Sequence, residues 1–406
     1  MGSMISFGRR NYKTLLPVVV PRSTSPPPIR FGILGAANIA PIALIVPAKS
    51  HPEVVIQAVA ARDKARAETF AKKHGIAKAY GGEDGYQELL DDPDVDAVYN
   101  PLPNGLHFEW TIKALNAGKH VLLEKPSANT AEETRQIFDL AEQKGLVILE
   151  AFHYRFHPAI QRAKAILDSS ELGAIKSVST ALAVPNIAFK ENDIRFDYSL
   201  GGGVLMDMGC YTINCMRYLS SGNPTAVIAA TSTLQAPRSP ALLKAAENVD
   251  RRTTAAFALP GDATGEITCD LGMPPRLGFI PVWPEVGATV ECTGGKLEVL
   301  NFVGPSIYHS ITVTKPKPDG KGTEKRVEKA YTFPADGSAT GGRVLGEDWW
   351  STYRFQLEAF VDRLRGRTPQ TWVDREDSIA NMEWIERVYE KTGLGSRPRS
   401  TYVYDS

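Results

Sequence analysis

The sequence predicts an α/β domain built on a parallel sheet, followed by an α+β domain with a large, mostly antiparallel open sheet. Three observations lead to this fold class. Strand-like apolar runs alternate with helix-like stretches over residues 29–150, which is typical of right-handed βαβ units. After residue 150, Thr- and Val-rich runs dominate and helices are few. The 406 residues leave room for two or three domains.

The elements of the first domain follow from apolar runs, their period and the turn residues between them. The predicted strands are Ile29–Gly35, Val54–Ala61, Val95–Asn100, His120–Leu123 and Leu146–Glu150. The predicted helices are a stretch that ends near Ala48, then Asp63–His74, Gly85–Leu90, Leu106–Ala117 and Ala131–Lys144. This order gives a dinucleotide-binding type of domain over residues 29–150.

The second domain, residues 151–406, is predicted to be richer in strands. Its strands are expected near residues 175–184, 226–233, 253–258, 264–269, 289–291, 296–300 and 307–314. Its helices are expected at Ala159–Asp168, from near Gly203, at Asp348–Arg365 and at Asp377–Lys391. The charged stretch 315–326 is interpreted as a solvated hairpin tip.

Composition excludes several classes of protein. Lys plus Arg and Asp plus Glu are both 46, and this balance argues against a nucleic-acid binder. The four cysteines contain no CxxC pair, which speaks against a disulfide scaffold or a zinc finger and favours a reducing compartment. The most apolar window, residues 31–48, holds three residues of turn-forming type and two prolines, so we expect no membrane span.

Residues 1–28 are predicted to be a basic tail. Residues 1–52 contain six basic residues and no acid, and Pro26, Pro27 and Pro28 precede the first strand. Such a tail is expected to be disordered, or alternatively to act as a mitochondrial presequence. The expected location is the cytoplasm, with mitochondria as the alternative.

A turn after the first strand predicts a dinucleotide site. Against the GxGxxG/A pattern, Gly35 fills the first position, Ala37 the second and Ala40 the third. The helix that follows is expected to supply N–H groups and a positive dipole to the phosphates. The residues predicted to bind the cofactor at this turn are Gly35, Ala36, Ala37, Asn38 and Ile39.

The end of the second strand indicates which cofactor is bound. NAD sites place an acid there, whereas this strand ends in Ala61 and continues with Arg62, Asp63 and, close behind, Arg66. A guanidinium pairs bidentately with phosphate, so Arg62 and Arg66 are predicted to bind a 2′-phosphate and NADP is favoured over NAD. Two alternatives stay open: Asp63 caps a solvated helix, or Asp63 binds the ribose.

Three side chains are candidates for the chemistry. Lys125 follows the predicted strand His120–Leu123, at the edge where α/β sheets bind ligands. Asp207 and Tyr211 are four apart, hence on one helical face, and could orient a hydroxyl and exchange its proton. Spacing alone is equally compatible with a structural interpretation, in which Lys125 is solvated, Asp207 caps a turn and Tyr211 packs in the core.

Together these segments resemble one family. They are GILGAANIA at 32–40, EKP at 124–126, EAFHYRFHP at 150–158, GGGVLMDMGCY at 201–211 and NMEWIERVYEK at 381–391. In this order they are similar to the Gfo/Idh/MocA oxidoreductases, in the branch of NADP-dependent D-xylose 1-dehydrogenases and dimeric dihydrodiol dehydrogenases. The resemblance covers about residues 29–395 and implies a Rossmann domain, then an open-sheet domain that binds substrate and mediates a homodimer.

The resemblance also implies roles for residues. Lys125, Asp207 and Tyr211 would be catalytic and, with Arg155, would contact the substrate; Tyr211 stands where many members carry His. The residues implied to line the cofactor are Pro101, Leu102, Asn104, His107, Glu124, Lys125 and Arg155. His153 and His157 could be ligands, but their aromatic neighbours favour core packing. No metal constellation is visible.

The implied activity is NADP-dependent oxidation of an aldose, D-xylose first, at C1 to the lactone. Tyr211 would remove the C1 hydroxyl proton, and the nearby Lys125 ammonium would lower the pKa of this tyrosine. The alternatives are oxidation of trans-dihydrodiols of arenes, glycoside hydrolysis through transient oxidation, and a non-catalytic NADP-binding protein. The expected partners are a small sugar or diol, and neither nucleic acid nor membrane.

Overall fold

The structure is a computed structural model that describes residues 2–186, 189, 193–236, 248–277, 280, 282–334 and 346–404. Its first domain contains a six-stranded parallel sheet within these residues, in the order β3-β2-β1-β4-β5-β6. The strands are β1 (Ile29–Leu34), β2 (Val54–Ala61), β3 (Lys78–Gly81), β4 (Ala97–Asn100), β5 (His120–Leu123) and β6 (Ile148–Glu150). The predicted parallel sheet is confirmed.

Helices cover both faces of this sheet. They follow an N-terminal helix, α1 (Gly2–Leu15), and are α2 (Val46–Lys49), α3 (Lys64–His74), α4 (Gly85–Asp91), α5 (His107–Asn116) and α6 (Ala131–Gln143). Strands β1, β4 and β5 are almost wholly buried, as parallel strands between two helical layers must be. Strand β1 pairs with β2 on one side and with β4 on the other, so the direction of the strand order reverses at β1. In open α/β sheets, ligands bind in the crevice at such a reversal.

The second domain is built on an eight-stranded sheet within the described residues, in the order β14-β13-β12-β11-β7-β10-β9-β8. The strands are β7 (Ile175–Pro185), β8 (Ala226–Leu234), β9 (Asp250–Ala258), β10 (Thr264–Met273), β11 (Glu285–Cys292), β12 (Gly295–Leu300), β13 (Ser310–Pro316) and β14 (Thr323–Glu328). Strands β7 and β10 pair in parallel and the other neighbours are antiparallel, which confirms the mostly antiparallel sheet.

Four helices accompany this sheet in the described part of the chain. They are α7 (Pro158–Asp168), α8 (Cys210–Ser220), α9 (Thr352–Leu364) and α10 (Arg375–Thr392). Helix α10 packs on both α6 and α8, and so joins the two domains. A fully buried ion pair lies within the second domain: the Arg397 guanidinium is 2.6 Å from Asp250 Oδ1, and its Nε donates to the carbonyl of Gly202 at 2.7 Å.

Several local predictions differ from the structure. The predicted helix after Gly35 consists of a π-helical turn, Pro41–Ile45, and the short α2, because proline occurs at residues 41 and 47. Strand β3 was absent from the prediction, since its four residues, KAYG, are half-buried and form no apolar run. The first four residues of β14 fall within the predicted charged hairpin tip, because an edge strand can be polar on both faces.

Within residues 2–28, the structure differs from the disordered tail that the sequence predicted. Helix α1 docks on the second domain, where Arg10 is only 7% exposed and its guanidinium carbon lies 3.5 Å from the ring centroid of Tyr331. Arg9 forms an ion pair with Asp348 at 2.8 Å. These partners are more than three hundred residues away along the chain, so local sequence carries no sign of them.

Candidate active site

A cavity of about 540 Å³ opens between the two domains, beside the crevice at β1 and β4. Both domains and helix α1 contribute to its wall. Its polar lining includes Asn104, Glu124, Lys125, His153, Arg195, Asp207, Tyr211 and Tyr353. Its apolar lining includes Leu15, Ile39, Ile42, Val46, Leu102, Leu182, Met208, Val303 and Ile307. A concave site of this size, largely apolar with convergent polar groups, is typical of small-molecule binding.

The turn after β1 has the backbone that the phosphate-binding pattern requires. Gly35 has a φ of 100°, and a Cβ at this position would lie 3.1 Å from Leu102 Cδ2. Of the five residues predicted at this turn, Ile39 lines the cavity. Only glycine fits at the first position of the motif, so the chain leaves the space that a dinucleotide needs near the end of β1.

The two arginines after β2 lie at the surface beside this turn. Arg62 and Arg66 are exposed, and Arg66 Nη2 donates to the carbonyl of Ala36 at 2.9 Å. Asp63 accepts a hydrogen bond from the Arg66 backbone N–H at 2.7 Å and so caps α3, as one alternative had it. The Arg62 guanidinium is thus available to an anion at the cofactor end of the crevice.

The loop after β4 connects the crevice to the cavity. The cavity is lined here by Pro101, Leu102, Asn104 and His107. His107 is buried, with Nδ1 2.8 Å from the Pro126 carbonyl and Nε2 2.8 Å from the Leu102 carbonyl. Burial lowers the pKa of His107 to about 4, so the ring is neutral and only one nitrogen can donate. This histidine holds two loops together, and Asn104 joins them to Gly201.

Lys125 and Asp207, which are 82 positions apart, meet in the cavity. Lys125 Nζ donates to the carbonyl of Asp207 at 2.8 Å and to its Oδ1 at 3.0 Å. Arg195 Nε donates to Oδ2 at 2.7 Å. Burial by itself would raise the pKa of Asp207, but the two cations outweigh it and the pKa lies well below its usual range. Burial acts to lower the pKa of Lys125, and the Asp207 carboxylate more than offsets this. All three groups are therefore charged at neutral pH.

Tyr211 lies against this ion pair. Lys125 Nζ is 4.9 Å from the centroid of the Tyr211 ring, which also makes edge contacts with Phe152 and His153. The expectation that Lys125 lowers the pKa of this tyrosine is wrong for the protein without ligand. Burial raises the pKa of Tyr211 well above its ordinary value, and the nearby Tyr353 and Glu124 add to the increase.

Glu124 directly precedes Lys125 in the chain and is buried. Tyr99 donates to Glu124 Oε1 at 2.6 Å, and both side chains are buried. Burial raises the pKa of Glu124, although the hydrogen bond from Tyr99 and the charge of Lys125 act in the other direction. The carboxyl group therefore supports the loop that carries Lys125.

Arg155 is not in this cavity, and the expectation that it contacts cofactor or substrate is corrected. It lines a different cavity of about 310 Å³, where its Nη1 lies 2.7 Å from Asp377 Oδ2 and its guanidinium stacks on Tyr218. The reason is the short 3₁₀ turn His153–Phe156, which is buried throughout and places His153 in the active-site wall but Arg155 on α8 and α10. His157 is buried in the core, as its aromatic neighbours suggested.

Sequence reasoning missed two residues of the site and undervalued a third. Arg195 and Tyr353 had no motif around them, and His153 was assigned to core packing. His153 Nδ1 lies 2.8 Å from Thr352 Oγ1, and its ring lies 4.0 Å from that of Tyr353, centroid to centroid. Burial lowers the pKa of His153 to about 3, so it is neutral. For Arg195, the sequence contained one usable signal, the nearby Asp193. Its carboxylate caps a turn and pairs with Arg195.

The described residues also bear on two other kinds of feature, a metal site and a membrane span. Among them, we find no group of three or more His, Cys, Asp or Glu side chains arranged to hold a metal ion. Nor does any helix in that part of the chain have the length and apolar character needed to cross a membrane.

Known proteins resemble the chain over most of its length. It is 36% identical to a D-xylose 1-dehydrogenase (NADP(+)) from Haloferax volcanii, over 90% of this chain and 98% of that protein. It is 32% identical to a trans-1,2-dihydrobenzene-1,2-diol dehydrogenase from Bos taurus, over 60% of this chain and 68% of the relative. A crystal structure of a 3-ketoreductase from Actinomadura kijaniata with NADP and TDP-benzene superposes with a TM-score of 0.71 at 26% identity, covering 90% and 98% of the two chains.

Two family profiles match in the order of the domains. Residues 29–152 match the oxidoreductase family with an NAD-binding Rossmann fold, and residues 160–298 match the GFO/IDH/MocA C-terminal domain. The polar groups that meet in the cavity come from both matched regions. The chain belongs to the Gfo/Idh/MocA family of oxidoreductases.

Proposed function

We propose that the protein oxidises an aldose, D-xylose in the first place, at C1 to the aldonolactone with NADP. The observation that carries this proposal is the juxtaposition of Lys125, Asp207 and Tyr211 in one cavity next to the dinucleotide turn. The relative from Haloferax volcanii supports the choice of sugar and of cofactor. The bound nicotinamide supplies the hydride acceptor; the residues of this chain supply orientation and proton transfer.

In this proposal each residue has its own task. Tyr211 acts in its phenolate form, after its own proton has passed to solvent, and then accepts the proton of the sugar hydroxyl as the C1 hydride leaves for the nicotinamide. The Lys125 ammonium, held by Asp207, stabilises the negative charge that develops on the reacting oxygen. Asp207 keeps its charge because it lies between Lys125 and Arg195, and its carboxylate can accept hydrogen bonds from the sugar. Lys125, Asp207 and Arg195 together carry a net charge of about +1, which suits an alkoxide.

A substrate panel tests the function. NADPH formation would be followed with aldopentoses, aldohexoses and a trans-dihydrodiol of benzene, each with NADP and with NAD. We expect the highest kcat/KM for an aldopentose with NADP. Preference for the dihydrodiol would favour the second candidate, dihydrodiol oxidation, which the largely apolar cavity wall and the Bos taurus relative support. Glycoside cleavage without net NADPH would contradict both, as would absence of turnover.

Arg62 is expected to select NADP. Replacing it by alanine removes a charged hydrogen bond to the 2′-phosphate, worth about 1.5–3 kcal/mol, so the Kd for NADP should rise by about 10- to 100-fold. The Kd for NAD should change less than about threefold, because NAD lacks this phosphate. Lys72→Ala is the matched control, since it removes an exposed positive charge from α3, the helix that follows Arg62. Equal weakening of both cofactors by Arg62→Ala would show that it does not bind the phosphate.

We further propose a cytoplasmic location and a homodimer through the open sheet. The four cysteines are buried and unpaired, which suits a reducing compartment. Ile228, Leu300 and Val327 are exposed apolar side chains on three strands of the second sheet. A contact between two copies through this sheet would cover these side chains.

A further inference from the structure

Residues 4–28, here called the N-terminal arm, cross the mouth of the active-site cavity. One end of the arm is helix α1, which holds two loops of the second domain. Thr14 Oγ1 donates to the Trp349 carbonyl at 2.6 Å, and Asn11 Nδ2 donates to the Ile307 carbonyl at 3.4 Å. Both loops continue into the cavity wall, the first with Ser351, Thr352 and Tyr353 and the second with Val303, Gly304, Ser306 and Ile307. Helix α1 therefore fixes the position of wall residues.

The other end of the arm is fastened to the dinucleotide domain. The backbone N–H of Val20 donates to the Lys49 carbonyl at 3.1 Å, and that of Ser23 donates to the Pro52 carbonyl at 2.8 Å. Arg22 Nη1 donates to two more carbonyls of this region, those of Ala48 and His51. The arm thus bridges the two domains on the side where the cavity opens, and it lies outside the family profiles, which begin at residue 29.

The arm also forms part of the cavity itself. Thr14 and Leu15, at the end of α1, line it. Leu15 is 64% exposed, and it shares the mouth with Ile42, 49% exposed, and Ile307, 58% exposed. These three side chains, the apolar rim, come from three separate parts of the chain. Exposed apolar side chains that converge on a cavity mouth indicate contact with a ligand, because they have little other reason to gather there.

We propose that the arm is a specificity element, in which Leu15 contacts the part of the substrate that lies farthest from Lys125 and Tyr211. This inference rests on the proposed sugar or diol oxidation. The polar residues bind the reacting end of the substrate, and the rim limits the size and polarity of the other end. Leu15 acts on substrate binding and does not touch the reacting atoms.

Two variants test the contact. Leu15→Ala should raise the KM of the best substrate by about three- to tenfold, because the contact with apolar surface is lost. Both kcat and the Kd for NADP should stay within about twofold. Leu15→Trp should narrow the mouth and lower kcat/KM for an aldohexose by about tenfold more than for an aldopentose. Leu16→Ala is the matched control, since Leu16 is adjacent and 62% exposed but does not line the cavity.

The outcomes separate this inference from the proposed function. If the wild type turns over a sugar or diol and both Leu15 variants behave like Leu16→Ala, the inference is wrong. It is also wrong if Leu15→Ala weakens NADP instead of the substrate, since the arm would then hold the cofactor. If the wild type turns over nothing, the proposed function fails, and the inference is tested by the Kd of the same sugars and dihydrodiol for the NADP-loaded protein. Leu15→Ala should raise the Kd of the ligand that binds best by about three- to tenfold, and an unchanged Kd, or binding of none of them, would overturn the inference.

Discussion

Tyr211→Phe is expected to lower kcat for the best substrate by about 10²- to 10⁴-fold, the usual contribution of a general acid or base. The substitution removes the hydroxyl and keeps the ring, which packs against Phe152 and Lys125. We therefore expect an unchanged fold, and a Kd for NADP within about twofold of the wild type. Stopped-flow or steady-state measurement of NADPH formation, with NADP titration of the same sample, gives both values.

The pH dependence adds a second readout. Burial raises the pKa of Tyr211 well above its ordinary value, so the hydroxyl is protonated at neutral pH. Loss of that proton becomes easier as pH rises, so kcat/KM for oxidation should increase with pH across the alkaline range. In the phenylalanine variant this increase should disappear.

Tyr353 is the discriminating comparison, because it is a second phenol in the same cavity, and burial raises its pKa too. Loss of turnover in Tyr353→Phe with normal turnover in Tyr211→Phe would transfer the proton-accepting role to Tyr353. Normal turnover in both variants would remove tyrosine from the mechanism.

Lys125→Met should lower kcat by about 10²- to 10³-fold, the cost of losing one donor that stabilises developing charge in a site shielded from water. Methionine has nearly the shape of lysine without the ammonium, so packing against Tyr211 is kept. The variant also leaves Asp207 with Arg195 as its remaining cation, and the pKa of Asp207 should rise toward its ordinary value. A new dependence of KM on pH in the acidic range should follow.

Two further variants make this result interpretable. Lys125→Arg keeps the charge but changes its geometry, so its kcat should lie between those of the wild type and Lys125→Met. Lys72→Met is the control for loss of a lysine, because Lys72 is exposed on α3, away from the cavity. A Lys125→Met enzyme with wild-type kcat would show that the ammonium does not act on the reacting oxygen.

Most of the fold could be predicted because it is encoded locally. The alternation of strands and helices over residues 29–150, and the rhythm of strands after residue 150, follow from apolar periods and turn residues a few positions apart. The misses have the same physical basis. Strand β3 has no apolar run that would mark it as a strand, and β14 is a charged edge strand that a polar pattern does not distinguish from a turn.

The residues of the site also fall into those that local sequence indicates and those that it does not. Gly35, Arg62, Lys125, Asp207 and Tyr211 could be named from motifs, since each lies directly after a strand or at the start of a helix. Arg195 and Tyr353 could not, because they reach the cavity from segments without a motif. Arg155 was assigned by its resemblance to a motif, but its guanidinium finds Asp377 on a helix 222 positions away.

By itself, the sequence determined the two-domain architecture, the dinucleotide turn and the residue types at the edge of the parallel sheet. Such features depend on neighbours within a few residues. Only the tertiary structure decided which side chains meet: the pairing of Lys125 with Asp207, the position of Arg155, the docking of α1 over the cavity, and the direction of the Tyr211 pKa. Charge and burial are properties of the space around a group, and that space is filled by residues distant in the chain.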